Sequence, residues 1–244
     1  MNGDPRPRYF GTNLKMHQTA DETVQFVARL ARIASSGVQL FVIPPFTSLA
    51  GAIGVAHAAN IWLGAQNLHW AQSGEYTGEI SGRMLSALEV DLVLVGHAER
   101  RQTFSEDDAV IRRKLEAAQA NGLRAILCVG ETAEERRCGA AAEAVLRQAR
   151  LALDGIADPS RVLVAYEPTW AIGEGGEAAD PAAISEVTAA LRDLLGSMPL
   201  LYGGSVNAGS AGRYARLPGV DGLFVGRAAW TPDGFESVLR AAAT

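Results

Sequence analysis

The sequence predicts an α/β protein built as a single closed (β/α)8 barrel of parallel strands. Short apolar runs rich in β-branched residues recur along the chain at intervals of roughly 20 to 40 residues, and helical patterns fill most of the intervals. Such strict alternation of strands and helices implies a parallel sheet. A chain of 244 residues has the length of about eight such units, which is the size of a closed barrel.

The eight candidate strands are apolar runs bounded by polar or glycine-containing segments. In chain order they are residues 9–12, 40–44, 61–65, 92–96, 125–130, 162–167, 200–203 and 222–226.

The intervals between the strands carry helical periodicity, clearest over residues 23–35, 106–120 and 140–153. Asp180 and Pro181 form a helix start signal before the seventh strand. An open, doubly wound sheet is the alternative architecture, but its glycine fingerprint is missing after the first strand. No linker or shift in composition divides residues 1–244, so we expect one domain.

Composition narrows the classes of function. The chain is 48% hydrophobic and carries a net charge of -5, which argues against a nucleic-acid or membrane-surface protein. Cys128 and Cys138 supply neither a disulfide framework nor a metal pattern, and no histidine pair has metal-ligand spacing. We find no signal peptide and no apolar run of about 18 residues, so we expect a cytoplasmic protein.

Polar and titratable side chains follow most of the predicted strands at their carboxyl ends, where barrels of this kind carry their chemistry. Each has an ordinary alternative: Lys15 as a solvated lysine, His97 as a helix cap or buried core histidine, Glu167 as a loop carboxylate. Glycines at 203–204 and 226 could form plain turns. The polar and titratable residues are Asn13, Lys15, His17, Gln66, Asn67, His97, Glu99, Arg100, Arg101, Glu131 and Glu167.

Taken together, these segments resemble the triosephosphate isomerase family over essentially the whole chain. The matching runs are Asn-Leu-Lys-Met-His at 13–17, Gly-His-Ala-Glu-Arg-Arg at 96–101 and Tyr-Glu-Pro-Thr-Trp-Ala-Ile-Gly-Glu-Gly at 166–175. Tyr-Gly-Gly-Ser-Val at 202–206, Cys-Val-Gly-Glu at 128–131 and Tyr-Thr-Gly-Glu at 76–79 also match. The family has the TIM-barrel fold that the alternation predicts.

The resemblance implies an aldose–ketose isomerase that works through an enediolate and needs no metal or organic cofactor. Glu167 would be the base that removes a proton beside the carbonyl, and His97, as a neutral imidazole at a helix N-terminus, the electrophile. Lys15 would supply positive charge beside the oxyanion and the phosphate, and Asn13 a further hydrogen bond. Glu99, which lies in the same motif as His97, would support these catalytic residues.

The resemblance also implies a phosphate site and a lid. Residues 169–175 would close over the substrate, and Ile172 and Phe224 would keep water from the base and make it more basic. The loop around Thr77 would enter a second subunit and build a homodimer. Phosphate would lie on the backbone N–H groups of Gly173, Ser205, Gly226 and Arg227.

Five positions depart from the family pattern: Leu14, His17, Ala98, Glu174 and Arg227. Glu174 and Arg227 are charged where the family has small neutral residues, and we expect them to form an ion pair near the phosphate. Together with Asn-Leu-His-Trp at 67–70 and Gly-Arg-Ala-Ala-Trp at 226–230, they resemble the branch that acts on tetrulose phosphates in erythritol breakdown.

The sequence therefore predicts interconversion of glyceraldehyde 3-phosphate and dihydroxyacetone phosphate, the reaction of glycolysis and gluconeogenesis. L-Erythrulose 1-phosphate is the alternative substrate. Two readings are less favoured. Another phosphate-binding lyase or synthase would need a Schiff-base lysine or a second acid, and a non-catalytic relative would have no use for a base aimed at carbon.

Overall fold

Eight parallel strands close into a barrel in chain order in the computed structural model, which describes residues 8–33, 37–172 and 179–243. The first strand pairs with both the second and the last, with Phe10 opposite Leu40 on one side and Leu223 on the other. The predicted (β/α)8 barrel is therefore confirmed. The strands are β1 (Arg8–Asn13), β2 (Val38–Ile43), β3 (Trp62–Ala65), β4 (Leu92–Val95), β5 (Arg124–Val129), β6 (Val162–Tyr166), β7 (Leu200–Tyr202) and β8 (Gly222–Val225).

Helices surround the barrel, and every predicted helix is present with small differences at its ends. They are α1 (Ala20–Leu30), α2 (Phe46–Ala58), α3 (Gly82–Ala87), α4 (Ala98–Thr103), α5 (Asp108–Ala120), α6 (Ala133–Arg137), α7 (Ala141–Leu153), α8 (Pro181–Leu195), α9 (Ala211–Ala215) and α10 (Pro232–Ala243). Short 3₁₀ helices cover Pro159–Arg161, Thr169–Ala171 and Arg227–Ala229. Within the described ranges, no helix combines the length and apolarity needed to cross a bilayer.

The largest difference from the predicted boundaries is in α1, which was expected over residues 23–35. It begins at Ala20 because Thr19 and Glu22 form a capping box ahead of the first apolar residue. Its last helical residue is Leu30, and residues 34–36 lie outside the described part of the chain. At α8 the predicted start is confirmed, since the Asp180 side chain accepts a hydrogen bond of 3.1 Å from the backbone of Ala182.

Two apolar layers hold the barrel together, because successive strand residues face opposite sides of the sheet. In β4, Leu92 and Leu94 fill the barrel interior, whereas Val93 and Val95 pack outward against the helices. Gly11 is required where Phe41 crosses the interior, since a Cβ atom at residue 11 would lie 2.3 Å from the Phe41 ring. The interior is thus packed solid, and the space for a ligand lies beyond the carboxyl ends of the strands.

Candidate active site

A cavity of about 580 Å³ opens at the carboxyl end of the barrel. The structure brings together there nearly all the site residues that the sequence predicts and that are described. The described residues that line it come from the carboxyl ends of β1 and β8 and from the loops after β1, β4, β6, β7 and β8. They are Asn13, Lys15, His97, Glu167, Ala171, Ile172, Gly203, Gly204, Ser205, Val206, Asn207, Phe224, Val225, Gly226, Arg227, Ala228 and Trp230.

Glu167 follows β6 directly and is only 4% exposed. Its backbone N–H donates to the carbonyl of Val129, at 2.8 Å, so the end of β5 fixes where the side chain leaves the sheet. Burial raises the pKa of Glu167, and this effect outweighs the neighbouring His97, Cys128 and Lys15, which favour the charged form. Oε2 has no hydrogen-bond partner in the described chain. The carboxylate is therefore poorly solvated and more basic than an ordinary glutamate.

His97 caps the N-terminus of α4 with its ring rather than with a hydroxyl. Its Nδ1 accepts a hydrogen bond of 3.3 Å from the backbone N–H of Glu99. Because an accepting nitrogen carries no proton, the geometry assigns the neutral tautomer with the proton on Nε2. Nε2 lies 3.9 Å from Oε2 of Glu167. The imidazole thus presents an N–H donor to the same space that the carboxylate faces.

Lys15 has a positive φ of 50°, which is unfavourable for a residue with a side chain. Its N–H donates to Oδ1 of Asn13 at 2.9 Å, and its carbonyl accepts from Nε2 of Gln66 at 2.7 Å. Its ammonium group lies 2.6 Å from Oε1 of Glu99. Burial is the largest single effect on Glu99 and opposes its charge, but the hydrogen bond from Lys15 and the nearby Lys15, His97 and His17 together outweigh it, so the pKa of Glu99 is lowered.

Two apolar residues were predicted to keep water from Glu167, and both border the same cavity. Phe224 is 4% exposed and packs against Phe41 with ring centroids 5.5 Å apart. Ile172 follows the 3₁₀ helix at the start of the predicted lid. The later lid residues Gly173 and Glu174 lie outside the described part of the chain, so the predicted contacts of both fall outside it as well.

The first residues of the predicted lid are tied to a buried carboxylate, Glu131. Trp170 donates from Nε1 to Oε1 of Glu131 at 2.8 Å, and Tyr166 donates to the same oxygen at 3.3 Å. Thr169 donates to the Glu131 carbonyl from both its N–H, at 3.1 Å, and its hydroxyl, at 3.0 Å. Glu131 is fully buried. Its place after β5 and its family motif were visible in the sequence, but neither assigns it this role.

The predicted phosphate end contains Ser205, Gly226 and Arg227, all of which border the cavity. Gly226 precedes the 3₁₀ helix that begins at Arg227. The Arg227 side chain is exposed and has no ion-pair partner among the described residues. Trp230 also reaches the cavity, although the sequence pattern assigns it no role beyond the motif that contains it. Thr77 lies on an exposed loop and is not among the residues bordering the cavity.

Metal-ligating side chains do not cluster in the part of the chain that the structure describes. No group of three or more His, Cys, Asp or Glu residues there is arranged to hold a metal ion. The polar groups of the cavity are instead a carboxylate, a neutral imidazole, an ammonium group and backbone amides. Such a set can remove a proton from carbon and stabilise the oxyanion that results.

Comparison with known proteins extends over almost the whole chain. A family model described as triosephosphate isomerase matches residues 8–242. The chain is 40% identical over 242 residues to L-erythrulose-1-phosphate isomerase of Mesorhizobium japonicum, covering 95% of each chain. It is likewise 40% identical over 242 residues to the Rhizobium etli protein of that name, covering 95% of this chain and 91% of that one. A triosephosphate isomerase of Acetivibrio thermocellus is also 40% identical over 240 residues, with 93% and 95% covered.

Proposed function

Because the chain belongs to the triosephosphate isomerase family, we propose that it is an isomerase of small phosphorylated sugars and that its substrate is L-erythrulose 1-phosphate. The sequence alone ranked the triose phosphates first. The relatives named L-erythrulose-1-phosphate isomerase favour the alternative instead, although a triosephosphate isomerase reaches the same identity.

The observation that carries the proposal is the pair of buried groups Glu167 and His97, whose Oε2 and Nε2 atoms are 3.9 Å apart. A carboxylate with a raised pKa is suited to remove a proton from carbon, because its pKa is closer to that of the C–H group beside the carbonyl. A neutral imidazole N–H is suited to donate to the carbonyl oxygen as negative charge develops there.

The reaction proposed for L-erythrulose 1-phosphate transfers one proton between neighbouring carbons. Glu167 takes the proton from C3, the electron pair forms the C2–C3 double bond, and the C2 oxygen becomes the enediolate oxygen that His97 and Lys15 stabilise. The proton then returns to C2. The C3 hydroxyl proton passes to the C2 oxygen, so that the C2 oxygen becomes a hydroxyl and the C3 oxygen becomes the carbonyl. The product is a ketose whose carbonyl lies one carbon farther from the phosphate. The same two steps on a triose phosphate interconvert aldose and ketose.

Phosphate binding is proposed for the backbone N–H groups of Ser205, Gly226 and Arg227, with Gly173 from the lid. Arg227 supports this assignment because its side chain adds a positive charge at the cavity with no described acidic partner. Lys15, by contrast, already lies 2.6 Å from Glu99. Before the proposed lid closes, an approaching phosphate dianion would therefore meet Arg227 as a positive charge without a described acidic partner.

The ion pair that we propose between Arg227 and Glu174 would set the position of the closed lid. Exchanging both for the small residues usual in the family, as Glu174→Thr and Arg227→Gly, tests it with a double-mutant cycle. A specificity pair requires the double variant to favour the triose phosphate by more than the two single changes combined. Additive changes that are the same for both substrates would contradict the pair.

A homodimer is proposed through the loop around Thr77. Several large apolar side chains are exposed in the single chain, among them Met16 at 93% and Phe104 at 60% accessible. Tyr76 next to Thr77 is 47% exposed, although it stacks on His69 with ring centroids 4.1 Å apart. Burying these side chains against a second copy would stabilise a dimer. Light scattering that found a fully active monomer at assay concentration would exclude it.

The two other readings find less support in the site. A Schiff-base lyase needs a lysine free to lose its proton, whereas Lys15 is ion-paired to Glu99 at 2.6 Å. A binding protein without activity gains nothing from a buried carboxylate that faces the ligand, because such a group repels an anion and costs stability.

Direct comparison of kcat/KM for L-erythrulose 1-phosphate and glyceraldehyde 3-phosphate tests the proposal. We expect the tetrulose phosphate to be the better substrate by at least tenfold, and the product to acquire one solvent deuterium in D₂O. Glu167→Gln is the matched inactive control, since it keeps the shape of the side chain. A reversed preference would contradict the tetrulose assignment, and exchange that persists in Glu167→Gln would contradict Glu167 as the base.

A further inference from the structure

The strained backbone of Lys15 depends on the position of Asn13. With φ at 50°, Lys15 keeps a conformation that an L-residue adopts only when its surroundings hold it there. The Lys15 N–H donates to the Asn13 side chain, at 2.9 Å. Any group that fixes Asn13 therefore also helps to place the ammonium group of Lys15.

Trp230 is the residue that fixes Asn13. Its indole Nε1 donates a hydrogen bond of 2.9 Å to the backbone carbonyl of Asn13. The indole also lies against the ring of His17, with centroids 4.0 Å apart. The Trp230 carbonyl accepts from Nε2 of Gln18, at 3.1 Å. Three contacts thus join Trp230 to the segment 13–18, which carries Lys15.

On its other side, Trp230 is continuous with the turn proposed to bind phosphate. It ends the 3₁₀ helix that starts at Arg227, and its N–H donates to the Arg227 carbonyl, at 3.2 Å. Trp230 lies four residues after Gly226 and borders the same cavity. One side chain therefore bridges the proposed phosphate-binding turn after β8 and the lysine loop after β1.

We propose that Trp230 is a positioning residue that couples the phosphate-binding turn to Lys15 through its indole N–H. The inference rests on the proposed function, because that function assigns residues 226–227 to the phosphate. A partly buried carbonyl that loses its donor leaves an unmet hydrogen bond, so Asn13 would shift and Lys15 would lose its placement. Removing the indole N–H would therefore weaken ligand binding only by displacing Lys15.

The test is a double-mutant cycle on ligand binding, which needs no catalysis. The probe is phosphoglycolate, a two-carbon acid whose phosphate and carboxylate imitate the two anionic ends of an enediolate phosphate. Its dissociation constant is measured by ³¹P NMR, which follows binding into the millimolar range. Trp230→Phe keeps a ring against His17 and removes the N–H donor. Trp62→Phe is the matched control, because its ring packs against Tyr9 near the start of β1, at the end of the barrel opposite the cavity.

Trp230→Phe should weaken phosphoglycolate binding at least fivefold in the parent protein and less than twofold in the Lys15→Met background. Equal weakening in both backgrounds would overturn the inference, since a general disturbance of the turn does not depend on Lys15. Should Trp230→Phe not fold, benzothienylalanine at residue 230 removes the N–H at nearly constant shape, with the same two outcomes. Failure of the parent protein to bind phosphoglycolate would contradict the proposed function itself.

Discussion

Substituting Gly203 by alanine should displace the proposed base without unfolding the barrel. Gly203 follows β7, and a Cβ atom added there would lie 2.8 Å from Cγ of Glu167 and 3.0 Å from its Oε1. Non-bonded carbon atoms prefer about 3.5–4.0 Å, so the Glu167 side chain must retreat by roughly 0.7–1.2 Å. Only a side chain stands in the way, whereas a Cβ atom at Gly130 would meet the backbone of Glu167 at 1.9 Å.

The kinetic cost follows from how steeply proton transfer depends on geometry. A misplacement of about 1 Å can cost on the order of 100-fold in rate, so we expect kcat to fall by roughly 10- to 100-fold in Gly203→Ala. KM should change little, because Gly203 is at the reacting end of the cavity beside the carboxylate. Steady-state kinetics with both sugar phosphates, together with circular dichroism and the Tm, measures the effect.

Gly54→Ala is the matched control for this experiment. It makes the same chemical change in the exposed middle of α2, where a Cβ atom would meet nothing within 4 Å. Alanine favours a helix over glycine by about 1 kcal/mol, so the Tm should rise while kcat stays at the parent value. A folded Gly203→Ala protein with parental kcat would refute the reasoning that Glu167 acts from its position against Gly203.

Three further predictions concern buried titratable side chains. Glu167→Gln should lower kcat by at least about 10³-fold yet raise the Tm. Burial raises the folded-state pKa of Glu167, so the contribution of this side chain to the free energy of unfolding is complete at low pH and is lost as the pH rises through that pKa. The rise in Tm on replacing Glu167 by glutamine should therefore be present near pH 8 and absent near pH 4. Calorimetry at the two pH values measures it. His97→Gln should lower kcat by about 10²–10³-fold with KM within threefold, and a change in KM alone would contradict its role in the transition state. Lys114→Met should lower the free energy of unfolding by about 2 kcal/mol, and the Tm by roughly 4–8 °C, because buried Glu106 loses the ammonium group at 2.5 Å and is left with Arg100 as its described cationic partner. In that series Glu106→Gln should restore part of the loss, and Arg112→Ala at an exposed ion pair should leave the Tm unchanged.

The sequence predicts the barrel well because its strands are buried on both faces and read as short apolar runs. Helix ends are predicted less well where polar groups rather than apolar periodicity decide them, as the capping box of Thr19 and Glu22 shows. The same limit applies to the loop after β4, where His97 rather than a hydroxyl residue caps a helix. The sequence offers a helix cap only as one of several readings of His97, because histidine is not among the residues that usually mark a helix start.

The candidate site was predicted as a set of residues, but not as a set of contacts. The sequence places Glu131 after a strand and Trp230 in a loop, yet their roles depend on long-range hydrogen bonds. Glu131 accepts from a residue 39 positions along the chain, and Trp230 donates to one that is 217 positions away. No pattern within one segment contains such pairings. The strained backbone of Lys15 could not be predicted either, because neither a lysine nor the residue types beside it require a positive φ.

Glu99 shows how one residue outside the cavity lining can set the state of two inside it. Its backbone N–H occupies Nδ1 of His97 and so places the imidazole proton on Nε2, while its carboxylate holds the ammonium group of Lys15. These functions are separable, because the first uses only the backbone and survives any side-chain substitution. Glu99→Gln would therefore keep the His97 tautomer and release Lys15 from its ion pair. It follows that catalytic losses in Glu99→Gln report on Lys15 and on the charge near Glu167, whose pKa Glu99 helps to raise, whereas the donor that faces Glu167 is fixed by the helix backbone.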